Sequence, residues 1–199
     1  FFSQAKNLAE LMKTNKINCN SFVKSGAEYR ELAVRDVAPE LNKFLEDNFW
    51  INNCVKSYLA KQKLPFLWRI KLVRDYDETF DKNTLFHADT YFSTLKAFIY
   101  LDRVTKEEDV YNYLLGSHVM TPEILSLHKI YATQYNDSPW PKDNELSELN
   151  FKRFLEDIEP NTLILSDTRG LHRRNPKHHR SKKWRATLFC SFRSTPFRG

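Results

Sequence analysis

Thr84-Leu85-Phe86-His87-Ala88-Asp89 is the stretch on which the reading of this chain turns. Leu85 and Phe86 lead into it as extended chain, and on a β-strand residues two apart project to the same face. His87 and Asp89 would therefore reach one point, with Ala88 on the far side. A second imidazole arriving from a distant segment would complete the two-His-one-carboxylate face that holds non-haem Fe(II) with open positions. His172 is the expected distal ligand. His178 and His179 compete for that role, but they sit among Lys177, Arg180, Lys182 and Lys183, a solvated-looking run. Two adjacent side chains on an extended segment also point opposite ways. A His-x-Asp triplet alone is a common chance event, so its weight comes from its surroundings.

Outward from the triplet the texture is that of strands. Phe66 to Arg74 alternates apolar and charged positions, Leu95 to Leu101 is a strong strand, and Val110 to Leu115 is another, ended by Gly116-Ser117. Asp77 to Asn83 is turn-like. Asn161 to Ser166 and Trp184 to Phe192 read as the closing strands. Pro122 after Thr121 marks a helix start with Thr121 as N-cap, running toward Thr133. Asn136 to Asn144, with Pro139, Trp140 and Pro141, reads as a loop suited to a lid, and Leu146 to Leu155 as a short helix. His128 falls in a helical run and is expected at the surface.

Before residue 62 the pattern is helical. Leu8, Leu11 and Met12 recur at helical spacing, as do Leu32, Val34, Val37, Leu41, Phe44 and Leu45, with Pro39 breaking or bending the second run. Phe49 to Leu59 suggests a further helix. Helices followed by a mostly β body argue for an α+β chain. We expect one domain over 1–199, with helical support over about 1–62 and a β core over about 64–197.

The chemistry needs more than a metal. Fe(II) held by three side chains leaves room for a bidentate 2-oxo acid and O2. Such a co-substrate carries a distal carboxylate, which a planar guanidinium matches with two parallel bonds. Arg185, opening the last strand, is the candidate, and strand period puts Thr187 and Phe189 on its face and Ala186 and Leu188 on the other. Lys71 and Arg74 read as solvent-facing positions of an alternating strand, although Arg69 or Lys71 could reach a ligand.

The net charge of +6 is concentrated at one end. From Arg169 onward there are ten basic residues and no acid, whereas the remaining 21 Lys and Arg face 25 Asp and Glu. That end could attract an anionic metabolite, through Arg173, Arg174 and the basic loop after them, or a nucleic acid. With 41% hydrophobic and 14% aromatic residues the chain suits a packed globular protein, not a disordered one. No apolar run approaches a membrane span, and no charged-then-apolar leader opens the chain, which begins at Phe1 rather than Met. Cys19, Cys54 and Cys190 are an odd number without metal-binding spacing, so reduced thiols in a cytoplasmic protein are expected. Only four glycines are present and none forms a phosphate-cradling loop.

The ordered series His87-Ala88-Asp89-Thr90-Tyr91-Phe92, Lys96-Ala97-Phe98-Ile99-Tyr100-Leu101-Asp102-Arg103-Val104, Gly116-Ser117-His118 and Asp167-Thr168-Arg169-Gly170-Leu171-His172 resembles the phytanoyl-CoA dioxygenase family, over about Arg69 to Phe197. Its members are Fe(II)- and 2-oxoglutarate-dependent oxygenases. The resemblance implies a double-stranded β-helix, a jelly-roll barrel of the cupin kind, with helices on one side. It makes His87, Asp89 and His172 the iron ligands and has Arg185 grip the far carboxylate of 2-oxoglutarate. Phe98 falls at a pocket-lining aromatic position and His118 where a histidine lies close to the co-substrate. Lys96 shares a strand face with Phe98 and would point inward with it. The chain departs from the family at Leu115, where many members have proline, and in its unusually basic loop after His172.

The expected reaction uses Fe(II), 2-oxoglutarate and O2 to hydroxylate an unactivated C–H bond of a small or medium anionic metabolite, releasing succinate and CO2. Related halogenases place a small residue where Asp89 stands, so the carboxylate favours hydroxylation, with desaturation, cyclisation and epimerisation open to the same oxidant. Fold resemblance does not transmit substrate. The competing reading is a nucleic-acid binding or modifying protein that uses the basic, aromatic C-terminal segment with Trp184, Phe189, Phe192 and Phe197. A barrel that binds ligand without catalysis is disfavoured by the complete set of His87, Asp89, His172 and Arg185.

Overall fold

A computed structural model describes residues 1–24, 26–59, 67–76, 82–135, 140–147, 149–175 and 183–193. Four sequence expectations lie wholly or partly outside these residues: residues 77–81 of the expected turn, the basic loop with Lys177, His178, His179, Arg180 and Lys182, the Phe197 end, and the Pro139 part of the expected lid.

The chain opens with helix α1 (Phe2–Lys13), a hairpin of β1 (Asn20–Lys24) and β2 (Ala27–Ala33), and helices α2 (Val34–Val37), α3 (Pro39–Glu46) and α4 (Phe49–Leu59). Strands β3 (Arg69–Asp75), β4 (Thr94–Tyr100) and β5 (Tyr111–Leu114) follow, then α5 (Pro122–Tyr135) and α6 (Asp143–Ser147). Strands β6 (Arg153–Phe154), β7 (Leu163–Asp167), β8 (His172–Arg174) and β9 (Arg185–Arg193) complete the described elements. A six-stranded sheet in the order β1-β2-β3-β9-β4-β7 and a three-stranded sheet in the order β6-β5-β8 are both antiparallel throughout. Helices on one side and two antiparallel sheets enclosing a cavity make the expected double-stranded β-helix.

Opposed faces of β3 and β9 build the large sheet. Ile70 and Leu72 of β3 and Ala186, Leu188, Cys190 and Phe192 of β9 are buried on one face, against Met12, Leu41, Leu45, Ile51 and Val55 of the helices. Lys71, Thr187 and Phe189 take the other face, where Lys71 pairs with Thr187 and Phe98 with Phe189. A side-chain period of two thus separates an apolar helical layer from a polar interior. All three cysteines are free, and among the described residues no helix is long and apolar enough to cross a membrane.

Two segments differ from the sequence reading. Residues 20–33, inside the stretch read as helical, form the β1–β2 hairpin, whose edge pairs with β3 from Ala27↔Asp75 to Ala33↔Arg69. Leu32 therefore serves a strand although its spacing to Val34 and Val37 looked helical; pairing to β3 overrides that local signal. The segment 146–155 is not one helix: α6 ends at Ser147, and Arg153–Phe154 pairs with Leu114 and Tyr113 of β5. Thr121 does cap α5, its Oγ1 accepting from the Ile124 amide at 3.4 Å, and Pro39 starts α3 where the second helical run breaks.

The turn between β7 and β8 is tightly packed at Gly170. A Cβ there would lie 2.0 Å from the Tyr113 hydroxyl and 2.6 Å from its Cζ. Tyr113 cannot easily retreat, because it is buried and donates to the Asp167 carbonyl at 2.9 Å. Gly170→Ala should therefore destabilise the fold by about 1–3 kcal/mol, the usual range for overpacking, read as a lowered midpoint in urea with the m-value unchanged.

Candidate metal centre

His87 and His172 meet because their backbones pair. The His87 amide donates to the His172 carbonyl at 2.9 Å and the His172 amide returns the bond to His87 at 2.9 Å, an isolated antiparallel bridge. Directly opposed residues of such a pair put their side chains on the same face. The two rings consequently sit with centroids 4.5 Å apart. Asp89, two residues on, is held by its amide on the Thr168 carbonyl at 2.9 Å, and Thr168 in turn donates its amide to Thr94 at 2.8 Å. One ligand atom from each of His87, Asp89 and His172 lies within 4.8 Å of the others.

The imidazoles are already oriented. His87 Nδ1 lies 3.0 Å from the Leu85 carbonyl and His172 Nδ1 lies 2.9 Å from the Gly170 carbonyl. A ring whose Nδ1–H is committed to a carbonyl presents its Nε2 lone pair, the arrangement that fixes the tautomer of metal-binding histidines. Burial, followed by the His87 charge, pulls the His172 imidazole down to about 3, so the ring is neutral and available as a ligand. For Asp89, burial pushes toward the protonated form, but Lys96 and His172 outweigh it and hold the carboxyl well below the usual carboxylate range. A neutral His172 ring, an ionised Asp89 carboxylate and two imidazoles anchored through Nδ1 fit a divalent first-row metal.

Ser117 explains the Gly-Ser-His turn. Gly116 takes φ +88°, which a glycine adopts without cost, and the buried Ser117 hydroxyl then donates to Leu114 and accepts from the Leu171 amide, both at 2.7 Å. This pins the end of β5 to the residue before His172. Trp140 stacks on His87 with centroids 4.3 Å apart and planes at 18°, while Tyr111 stands 5.7 Å from His172.

A cavity of about 520 Å³ extends from the three ligand residues between the sheets. Phe98, Tyr100, Tyr111, Thr187 and Phe189 form its inner wall, and Phe22, Tyr29, Glu31, Arg69 and Lys71 carry it toward the hairpin. Phe98 lies 5.5 Å from both Tyr111 and Phe189, measured between ring centroids. Arg185 lines the same cavity and donates from Nη1 to the Asp109 carbonyl. Lys71 is nearly enclosed by the rings of Tyr29 and Phe189 at 5.0 and 5.1 Å and pairs with Glu31 at 3.4 Å. Burial draws its ammonium down, with Lys96 and Arg185 adding to the effect against the pull of Glu31.

His118 falls elsewhere, and the other expected residues reach the cavity already engaged. His118 does not line this cavity; it lines a second one of about 480 Å³ beyond Tyr111, with Leu95, Phe154 and Ile164. The turn at Gly116 carries it past Tyr113, away from His172. Lys96 points inward as expected, but its ammonium is engaged by Asp89 at 2.5 Å. Arg174 shares the His172 side of β8 and pairs with Asp109 at 3.5 Å. Arg173 contributes to the cavity wall, yet its guanidinium lies over the Phe86 ring at 4.1 Å and pairs with Asp143 at 3.1 Å. His128 is partly buried. Of the C-terminal aromatics, Phe192 is in the helix-side core, Phe189 faces the cavity and Trp184 is covered by Arg30 and Arg74 at 4.7 and 4.3 Å. None of these three offers the open stacking face that a single-stranded nucleic acid needs.

Tyr100, Tyr111 and Glu31 were missed by sequence reading, and Lys71 was read as solvent-facing with reach to a ligand left open. Alternation in β3 placed Lys71 opposite Ile70 and Leu72, but whether that face met solvent depended on the unrecognised hairpin.

No family model and no curated protein matches the chain. Solved structures share its fold. EctD from S. alaskensis, solved with bound Fe, superposes with a TM-score of 0.60 at 14% identity over 97% of this chain and 66% of that one. SnoK, a non-haem α-ketoglutarate-dependent carbocyclase of nogalamycin biosynthesis, gives 0.58 at 14% identity over 96% and 74%. HygX from Streptomyces hygroscopicus, with nickel, 2-oxoglutarate and hygromycin B bound, gives 0.56 at 15% identity over 99% and 81%. The fold of this chain is thus that of non-haem iron, 2-oxoglutarate-dependent enzymes.

Asp89→Ala should weaken Co(II) or Mn(II) binding by at least about a hundredfold, since even outer-shell changes at such sites cost ten- to a hundredfold. Calorimetric titration checks this, with an unchanged circular dichroism spectrum as the control for folding.

Proposed function

We propose that this protein is an Fe(II)- and 2-oxoglutarate-dependent oxygenase that oxidises an unactivated C–H bond of a small or medium anionic metabolite. The observation that carries this reading is the reciprocal His87–His172 pair with Asp89 beside it, opening onto a cavity that also holds Arg185. Iron would be held by Nε2 of His87, Nε2 of His172 and a carboxylate oxygen of Asp89. Bound together, ferrous ion, 2-oxoglutarate and O2 supply an oxidant strong enough to take hydrogen from carbon, with succinate and CO2 released.

The chain's own residues do the positioning. Arg185 is fixed by its bond to the Asp109 carbonyl and keeps its remaining N–H groups for the far carboxylate of 2-oxoglutarate. Phe98, Tyr111 and Phe189, packed on one another, would wall that acid in and exclude water, as a site that generates a reactive oxidant requires. Trp140 covers the outer face of His87. The remaining cavity, toward β2 and β3, receives the metabolite. Its wall carries Lys24, Arg69 and Lys71 against Glu31, with Arg173 and Arg174 paired to Asp143 and Asp109 beside them, an excess of positive charge that favours an anionic substrate. Asp89 occupies the place a halide would need, so hydroxylation is the favoured outcome.

Supplying Fe(II), 2-oxoglutarate and a metabolite panel should yield succinate in step with one anionic compound, and Asp89→Ala should abolish it. Arg185→Gln should raise the KM for 2-oxoglutarate by about tenfold or more, the cost of removing one partner from an enclosed charge pair, with a smaller change in the KM of the metabolite. Equal KM values in variant and wild type would remove Arg185 from the site.

A further inference from the structure

Lys96 stands on β4 between Thr94 and Phe98, opposite Ser191 of β9 and Ser166 of β7. Its ammonium pairs with Asp89 Oδ2 at 2.5 Å. The same Oδ2 lies 3.6 Å from His172 Nε2. The oxygen taken by Lys96 is therefore the one turned toward the imidazole that completes the ligand set. The lysine side chain is 16% exposed, its ammonium is 5.9 Å from the Phe189 ring, and Lys71 is the neighbouring cation. Lys96 thus sets a cation directly against the one carboxylate of the centre. A short, largely enclosed ion pair of this kind both orients the carboxylate and resists replacement.

We propose that Lys96 is a resident counter-cation of the centre: it holds Asp89 in the ligand position before metal arrives, and then opposes the metal through the same carboxylate oxygen. The inference rests on the proposed metal-binding reading. It makes Lys96 a positioning residue for Asp89, with no contact to 2-oxoglutarate required. A divalent ion next to a fixed unit charge pays a Coulombic cost that its removal would relieve, even at an effective dielectric well above that of a dry interior. Metal affinity is thereby given up for a ligand set that stands ready without metal.

The test measures Co(II) binding by calorimetry and thermal unfolding of the metal-free protein, for the wild type, Lys96→Met, Lys96→Gln and Lys96→Arg. Lys96→Met and Lys96→Gln should bind Co(II) about tenfold or more tightly, consistent with losing a neighbouring unit charge, and their metal-free forms should unfold at lower temperature. Lys96→Arg, which keeps the charge, should stay within about threefold of wild type. A residue that merely supported the site would weaken metal binding when removed. Unchanged or weaker Co(II) binding in the folded neutral variants would overturn the inference while leaving the metal centre intact. Absence of Co(II) binding by the wild type would instead remove the metal-centre reading, and this inference with it.

Discussion

Two backbone hydrogen bonds between His87 and His172 organise this molecule's chemistry. Their donors and acceptors lie 85 positions apart in the chain, yet each amide finds the other's carbonyl at 2.9 Å. Directly opposed residues must share a face, so the imidazoles are brought together by main-chain geometry before any metal is present. The surrounding bonds serve this pair. Ser117 ties β5 to Leu171, Thr168 holds Asp89, and the Leu85 and Gly170 carbonyls take the two Nδ1 positions. Precision at the centre is thus inherited from backbone bonds, which are stiffer than side-chain contacts.

The large sheet separates two kinds of environment at the thickness of one strand. Its helix side is filled with aliphatic and aromatic groups, and its cavity side carries Lys71, Lys96, Phe98, Arg185 and Phe189. Charged groups there are met by a counter-charge, an aromatic face or, for Arg185, the Asp109 carbonyl. Lys71 has Glu31 and two rings, Arg174 has Asp109, and Lys96 has Asp89. Burying any one of them alone would cost several kcal/mol of desolvation, so the set is interdependent. The β1–β2 hairpin is essential to this enclosure, since it extends the sheet beyond β3 and supplies Glu31 and Tyr29.

Much of the fold was legible because its strands are short apolar or alternating runs bounded by turn residues. The strands around Arg69–Asp75, Thr94–Tyr100, Tyr111–Leu114, Leu163–Asp167 and Arg185–Arg193 all fall where alternation placed them, within a few residues. The hairpin was not legible. Asn20 to Ala33 has no strong alternation, and Leu32, Val34 and Val37 mimic a helical stripe; pairing with β3 decided its state. The Arg153–Phe154 strand failed for a related reason, being two residues whose only warrant is β5 beside them.

At the centre, the sequence alone determined which side chains were chemically suited: the His87–Asp89 spacing, a distal His172 and a guanidinium opening the last strand. Spacing could express those because strand geometry converts it directly into a shared face. Tertiary structure decided the rest. It turned Lys96 onto Asp89, carried His118 beyond Tyr113 into a separate cavity, set Trp140 flat on His87 and enclosed Lys71 between two rings. The physical reason is that those contacts join segments distant in the chain, where a side chain's partner depends on sheet order and loop path, and neither is encoded in local periodicity.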